Sequence, residues 1–391
     1  CDRAVPQTVL SGFPGQIGEW VLQSLDMRRS WWSLNAVGLV LLCALPVLAQ
    51  QRDVTLPTVE GGRFRRINVQ VLDPVVETPT VVVREGANEG RETLARDLIY
   101  TSMFFVTDSF GSPYLPDGVP RAWNARAEDS SKPYRIESIW KPERQGISVE
   151  MRLLDALDTQ VMGKRYQVDP GGVRGAMHHF ADEVVKSLTG VEGVSQTKIA
   201  YSYSRGETSE IWAVDYDGFG QAQLTNHNTL SLSPVWGKGR RWVAFTSYWE
   251  GQPNLYRVDE GSNMMRTLSK REGLNTAPDW SDARQAYAVT LSKDGNAEVY
   301  ILDKNGNDPK RLTFHQAIDT SPTWSPRGDQ IAFTSDRSGV PQIYVMDGDG
   351  GNVRRLTYHN RYSDSPAWSP NGQWIAYVAR WEGDIELRLM K

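Results

Sequence analysis

The histidines at repeated positions of this sequence could bind a metal ion. His227, His315 and His359 occupy one position in three of four similar segments of the C-terminal half, and imidazole is a common metal ligand. Segments that repeat in this way are arranged around a ring, however, so their equivalent positions lie far apart. We therefore expect these three histidines to be loop residues rather than metal ligands. His178 and His179 lie on a predicted helix without a second ligand pair nearby, and we expect them at the surface.

Two acidic turns resemble calcium-binding loops. They read Asp215-Tyr216-Asp217-Gly218 and Asp347-Gly348-Asp349-Gly350, but each lacks the remaining ligands and the closing glutamate. The sequence also contains no nucleophile elbow, no His-Glu-x-x-His helix and no phosphate-binding glycine loop. We therefore predict a protein that is not an enzyme and has no catalytic residue, metal or cofactor. The formal net charge of -4 argues against a general nucleic-acid binder.

The C-terminal half is an internal repeat. Four tryptophans that stand 44 residues apart close Ser-Pro-x-Trp or Ala-Pro-x-Trp motifs: Trp236, Trp280, Trp324 and Trp368. This period is typical of a β-propeller. Each full repeat has room for four strands, which in one repeat we place at 322–324, 331–334, 342–346 and 353–357. One repeat therefore corresponds to one propeller blade.

The first and last repeats are each one strand short. The first begins at its second strand with Ile199, and the last ends after its third strand, at Lys391, where the other repeats have an aspartate. A propeller that lacks these strands has two unpaired strand edges, and such edges promote aggregation. We therefore interpret the sequence as a fragment that holds a truncated propeller of about four and a half blades. Divergence of the terminal strands is the alternative.

The N-terminal region has the layout of a secretion signal. A basic start at Met27-Arg28-Arg29 precedes an apolar stretch at 34–48 and a small residue, Ala49, as in signal peptides. We predict cleavage after Ala49, hence an exported protein without membrane insertion; a retained anchor is the alternative. Residues 1–26 are interpreted as upstream translation.

Residues 50–190 have a mixed texture that predicts a separate α/β (or α+β) domain before an all-β propeller at 195–391. The predicted elements are strands at 64–72, 80–83 and 104–106, a helix at 92–103, an antiparallel pair at 134–140 and 147–154, and a final helix from Val173 to Leu188 with Gly190 as its C-terminal cap. This helix runs almost directly into the first propeller strand.

The junction carries a resemblance to a known family. Residues 179–190, which end in Leu188-Thr189-Gly190, are followed by Thr197-Lys198-Ile199-Ala200-Tyr201. Together with the blade motifs, this junction resembles the TolB family of periplasmic proteins over about residues 50–391. The resemblance implies a six-bladed propeller and a non-enzymatic role in the Tol-Pal system, which maintains outer-membrane integrity and constriction during cell division. The implied partners are the lipoprotein Pal, at the propeller mouth, and TolA, at the N-terminal segment.

The resemblance also implies candidate contact residues. Ala277 and Thr320 match two family positions that face Pal, Asn275 lies in the same loop as Ala277, and Asp364 is equivalent to Thr320 one repeat later. The chain departs from the family at Leu274, where a histidine can stand.

The segment implied to engage TolA is residues 51–59, which align by position only. Its candidate contact residues are Val54 and Leu56.

Two other function classes stay open. The blades are similar to those of the accessory propeller of prolyl-oligopeptidase-type serine peptidases, which would require a catalytic domain after Lys391. The α/β domain and its Leu-Thr-Gly junction argue against this class. A periplasmic propeller that binds a small ligand or glycan is the other alternative.

Overall fold

The computed structural model describes residues 66–116, 119, 124, 132–144, 146–237, 239, 241–358, 361–381 and 383–391. The predicted signal at 27–49 and the segment that holds Val54 and Leu56 lie outside the described residues.

No described helix has the combination of length and apolar character that a membrane-spanning helix needs.

The first part of the described chain is a six-stranded sheet that packs against two helices. The strands are β1 (Ile67–Val71), β2 (Val75–Val76), β3 (Phe104–Thr107), β4 (Tyr134–Glu143), β5 (Gly146–Leu154) and β6 (Gln160–Val168), and the helices are α1 (Val81–Tyr100) and α2 (Val173–Thr189). The order is β3-β1-β4-β5-β6, with β2 beside β4. Strand β1 runs parallel to β3 and β4, whereas β4, β5 and β6 are antiparallel. This arrangement is the predicted α/β layer.

Helix α1 begins where we expected a strand. The side chain of Thr80 caps the helix by accepting a hydrogen bond from the Val83 N–H at 3.3 Å. An N-cap threonine satisfies one of the unpaired N–H groups of the first turn, so the valines that follow join the helix despite their preference for strands. The predicted strand at 80–83 is therefore wrong, and β6 was not predicted.

Helix α2 ends as predicted. Gly190 has the left-handed φ of 73° and donates its N–H to the Lys186 carbonyl at 2.9 Å. Glycine accepts this conformation without steric cost. The chain then turns into the first propeller strand.

The propeller confirms the predicted fold class. Within the described residues, two three-stranded sheets flank three four-stranded sheets. The blades are blade 1, β7 (Lys198–Arg205), β8 (Thr208–Asp215) and β9 (Ala222–Gln223); blade 2, β10 (Ser231–Trp236), β11 (Trp242–Ser247), β12 (Asn254–Asp259) and β13 (Met265–Ser269); blade 3, β14 (Asn275–Ser281), β15 (Ala286–Leu291), β16 (Glu298–Asp303) and β17 (Lys310–Arg311); blade 4, β18 (Asp319–Trp324), β19 (Gln330–Ser335), β20 (Gln342–Asp347) and β21 (Arg354–Arg355); and blade 5, β22 (Tyr362–Trp368), β23 (Ile375–Trp381) and β24 (Asp384–Met390).

The close contact between α1 and β4 depends on Gly90. A Cβ at this position would lie 2.5 Å from Cη2 of the buried Trp140. We therefore expect Gly90→Ala to lower the free energy of unfolding by about 1–3 kcal/mol, the usual cost of overpacking a core. Urea unfolding measures the change.

Gly175 is the matched control, because it is an exposed helical glycine whose added Cβ would have no atom within 4 Å. Gly175→Ala should raise the free energy of unfolding by about 0.5–1 kcal/mol through helix propensity alone. Equal effects of the two substitutions would contradict the steric explanation.

Candidate functional site

The inner strands of blades 2 to 5 share a bulge near their first residues. Their pairing with the second strand shifts register at this point, and the residue in the bulge has a positive φ: Ser233 (52°), Ala277 (49°), Ser321 (50°) and Ser365 (53°). A proline follows each of these residues. Because proline has no N–H to lose from the ladder, the bulge breaks the pairing without leaving that donor unpaired.

Threonines of the second strands connect the inner strands of blades 3, 4 and 5 to the preceding blade. Thr246 Oγ1 accepts the Ala277 N–H at 3.1 Å, and Thr290 Oγ1 donates to Thr320 Oγ1 at 3.3 Å. Thr334 Oγ1 donates to Asp364 Oδ1 at 2.8 Å.

The inner strands β10, β14, β18 and β22 also contact one another in chain order. Three predicted site residues thus lie in one repeated arrangement. We call Thr246, Ala277, Thr290, Thr320, Thr334 and Asp364 the inner ring.

The inner ring presents little side chain to solvent. Thr320 is 5% and Asp364 8% exposed, whereas Ala277 is partly exposed. The Asp364 carboxylate also accepts hydrogen bonds from Tyr362 Oη at 2.7 Å and the Ser365 N–H at 2.6 Å. It is therefore a rigidly held acidic group rather than a mobile one.

Asn275 is buried below this surface. Its Nδ2 donates to the carbonyls of Arg271 and Gly273 at 2.7 and 3.2 Å, and its Oδ1 accepts from Ser269 Oγ and the Arg271 N–H at 2.6 and 3.0 Å. With no exposed surface, Asn275 shapes the loop that holds Leu274 instead of adding surface itself.

Asp319 was not among the predicted site residues. It is fully buried and pairs with Arg337 at 2.7 Å; the Arg337 guanidinium also lies 5.0 Å from the centroid of the Tyr344 ring. Burial raises the pKa of Asp319 above its ordinary value, while Ser335 and Arg337 act in the opposite direction. Its equivalence to Asn275 one repeat earlier is the sequence signal that could have identified it.

The repeated histidines do not form a cluster among the described residues. His227 packs with its ring centroid 4.8 Å from that of Trp249, and His315 Nδ1 accepts the Ala317 N–H at 3.0 Å. Both are loop residues. His359 lies outside the described residues.

The expectation that His178 is at the surface is wrong. Its side chain is 8% exposed, and its Nδ1 lies 2.6 Å from Oδ2 of the fully buried Asp97. Asp97, His178 and Asp217 offer possible ligand atoms within 4.8 Å of one another, the only such group of three in the described part of the chain.

Two arginines lie beside Asp217 and balance its negative charge, as a bound metal ion would. Arg174 pairs directly with the Asp217 carboxylate, and Arg96 lies 3.8 Å from it. Both guanidiniums cover the Phe219 ring, with centroid distances of 4.2 and 4.5 Å. Because these two arginines already neutralise the Asp217 carboxylate, a metal ion bound at that carboxylate would meet their repulsion. We call Arg96, Asp97, Arg174, His178 and residues 216–219 the interdomain joint.

The family of the chain follows from its propeller half. The model of the TolB beta propeller domain matches residues 185–391, which include all five blades. The chain belongs to the TolB family. The sequence resemblance at the junction and in the blades is thereby confirmed.

Curated relatives match parts of this TolB-family chain. The Tol-Pal system protein TolB of Syntrophus aciditrophicus (strain SB) is 34% identical over 249 residues, which are 58% of this chain and 54% of the relative. That of Gluconobacter oxydans (strain 621H) is 30% identical over 251 residues, 62% of this chain and 52% of the relative. The chain thus spans about half the length of these relatives.

A solved structure confirms the TolB fold. The crystal structure of TolB from Acinetobacter baumannii matches with a TM-score of 0.69 at 24% sequence identity, over 83% of this chain and 80% of that one. At this identity the match shows the arrangement of the α/β layer and the blades, not the contacts of any surface.

Asp279 gives a testable property of the inner strands. Its Oδ2 accepts the Trp324 N–H of the next blade at 2.6 Å, and burial raises its pKa to about 6 from 3.8. A carboxyl group whose pKa is raised by folding stabilises the folded state fully below pH 3.8, where the group is protonated. This stabilisation is lost as the pH rises through 6. We expect Asp279→Asn to raise the free energy of unfolding by about 1–2 kcal/mol at pH 7.5.

The gain should disappear below about pH 4, where Asp279 itself is neutral. Urea unfolding at pH 7.5 and pH 4 measures it. The exposed Asp308 provides the control substitution Asp308→Asn. A gain of the same size at both pH values would contradict the titration of Asp279.

Proposed function

We propose that this chain is a non-enzymatic, periplasmic scaffold of the Tol-Pal system. Family membership supports the proposal, as does the description of its relatives as Tol-Pal system proteins. The signal-peptide layout at 27–49 supports export. In this role the chain contributes to outer-membrane integrity and to constriction during cell division.

The inner ring is the proposed binding surface for Pal. The observation that carries this assignment is the repeated geometry that holds Ala277, Thr320 and Asp364 through a threonine of the preceding blade. A surface fixed by hydrogen bonds loses little conformational entropy when a partner binds, so its contacts contribute more to affinity. The restrained Asp364 carboxylate supplies an acceptor for a basic or N–H group.

The N-terminal segment is the proposed TolA-binding element. Residues 51–59 contain its candidate contact residues, Val54 and Leu56. Burial of these two apolar side chains against TolA would contribute to the affinity.

Ala277 provides the test of the Pal-binding surface. We expect Ala277→Arg to weaken Pal binding at least about tenfold, because an arginine would project from a partly exposed position where the partner must make close contact. Isothermal titration calorimetry with purified Pal measures the dissociation constant.

Ala277→Ser is the matched control, since serine occupies the equivalent bulge position at 233, 321 and 365 with nearly the same φ. It should leave both stability and affinity unchanged. If Ala277→Arg binds Pal as tightly as the wild-type chain does, the inner ring is not the Pal-binding surface. If the wild-type chain does not bind Pal, the proposed function is wrong.

The N-terminal segment has an independent test. Val54→Asp combined with Leu56→Asp should reduce TolA binding at least about tenfold through the loss of apolar burial, while Pal binding stays within twofold. Pull-down and calorimetry with the two purified partners measure both affinities. Equal loss of both, or of neither, would contradict separate binding sites.

A further inference from the structure

The interdomain joint buries ionisable groups from three elements. Helix α1 contributes Asp97 and helix α2 contributes His178, whereas Asp217 belongs to the turn after β8 in blade 1. The Asp97 and Asp217 side chains have no exposed surface, and that of His178 is 8% exposed. The contact between the α/β layer and the propeller therefore depends on charges that water cannot solvate.

The Asp97–His178 pair is incompletely satisfied. In the described part of the chain, Asp97 Oδ1 and His178 Nε2 are buried without a hydrogen-bond partner. A buried carboxylate that lacks a partner on one oxygen is costly when ionised. Binding of a proton to Asp97 removes that cost.

Other ionisable groups that influence the pair come from every element of the joint. They are Arg96 and Tyr100 on α1, Arg174 and Asp182 on α2, and Tyr216 and Asp217 in the blade 1 turn. The Asp182 and Asp217 carboxylates favour protonation of Asp97, whereas the Arg174 guanidinium opposes the charged form of His178. Asp182 is itself held by the Ser195 N–H at 2.7 Å.

Docking changes the environment of the pair in a defined direction. Asp97 and His178 both belong to the helices, so they stay together whether or not blade 1 is docked. Docking brings the Asp217 carboxylate within 4.8 Å of both groups. Its negative charge favours protonation of Asp97 and favours His178 in its charged form.

We propose that the interdomain joint is proton-linked: docking of blade 1 onto α1 and α2 takes up protons at the Asp97–His178 pair, so that acidification from neutral pH tightens the contact. The property goes beyond the proposed scaffold role and does not depend on Pal or TolA.

The titration of both groups agrees in sign with this geometry. Burial raises the pKa of Asp97 to about 6, against the opposing effect of His178. Burial alone would lower the pKa of His178, but the hydrogen bond and charge of Asp97, with the charge of Asp217, raise it above 6.5. The Asp217 charge from blade 1 contributes to raising both pKa values. Docking is therefore favoured as the pH falls from neutral through the pKa of Asp97 of about 6.

Hydrogen–deuterium exchange of the full chain tests the proposal. After correction for intrinsic exchange rates, protection of residues 216–219 and of α2 should increase about tenfold between pH 7.5 and pH 5.0, the effect of a difference of about one pKa unit between the docked and undocked states. Strands β15 and β16 serve as the internal reference, and their protection relative to each other should not change.

Two variants identify the titrating groups. Asp97→Asn keeps an oxygen for His178 but cannot ionise, so the increase in protection should fall below about threefold. His178→Gln removes the other titrating group and should also reduce it. Glu143→Gln, at an exposed position at the end of β4, is the control and should retain the tenfold increase.

Two results would overturn the proposal. One is protection of the joint that does not change with pH in the wild-type chain, and the other is an undiminished increase in whichever of the two joint variants folds. Neither result involves Pal binding. The proposed scaffold role and the proposed proton linkage are therefore tested independently, and either can be contradicted without the other.

Discussion

The propeller depends on one packing constraint, which is that the faces of a twisted four-stranded sheet are buried by the neighbouring sheets. Trp242 of blade 2 shows how this works, since it packs with ring centroids 5.3 Å from Trp280 and 5.6 Å from Tyr287 of blade 3. Aromatic pairs of this kind stabilise a fold beyond the area they bury. Each blade is therefore a structural unit only in the presence of its neighbours.

The same constraint explains why the inner strands carry bulges. Near the axis the blades approach closely, and a regular ladder would direct all N–H groups within one sheet. The bulge at Ala277 instead directs its N–H to Thr246 of the preceding blade, so the polar backbone is satisfied between sheets. The residues that fix the blades to one another are thus the residues proposed to meet a partner, which gives that surface its rigidity.

The interdomain joint follows a different principle. Whereas the blades associate through apolar faces, the α/β layer meets blade 1 through Asp217, two arginines and the Phe219 ring that both arginines cover. Buried ion pairs contribute less to stability than apolar packing, but breaking one is costly. Such a contact can therefore respond to changes in charge while each domain keeps its own core.

The sequence by itself determined the propeller, because a 44-residue period and strand-forming residues between turn motifs are local properties that leave one architecture. It also determined the αL cap at Gly190. It did not determine the start of α1, where the Thr80 cap outweighed the strand preference of three valines. Nor could it reveal the Asp97–His178–Asp217 cluster, since these residues are distant in the chain and only the docking of blade 1 onto both helices buries them together. The family positions Ala277 and Thr320 were found from the sequence, but the hydrogen bonds that join blades at those positions exist only between sheets, so tertiary packing alone decided them.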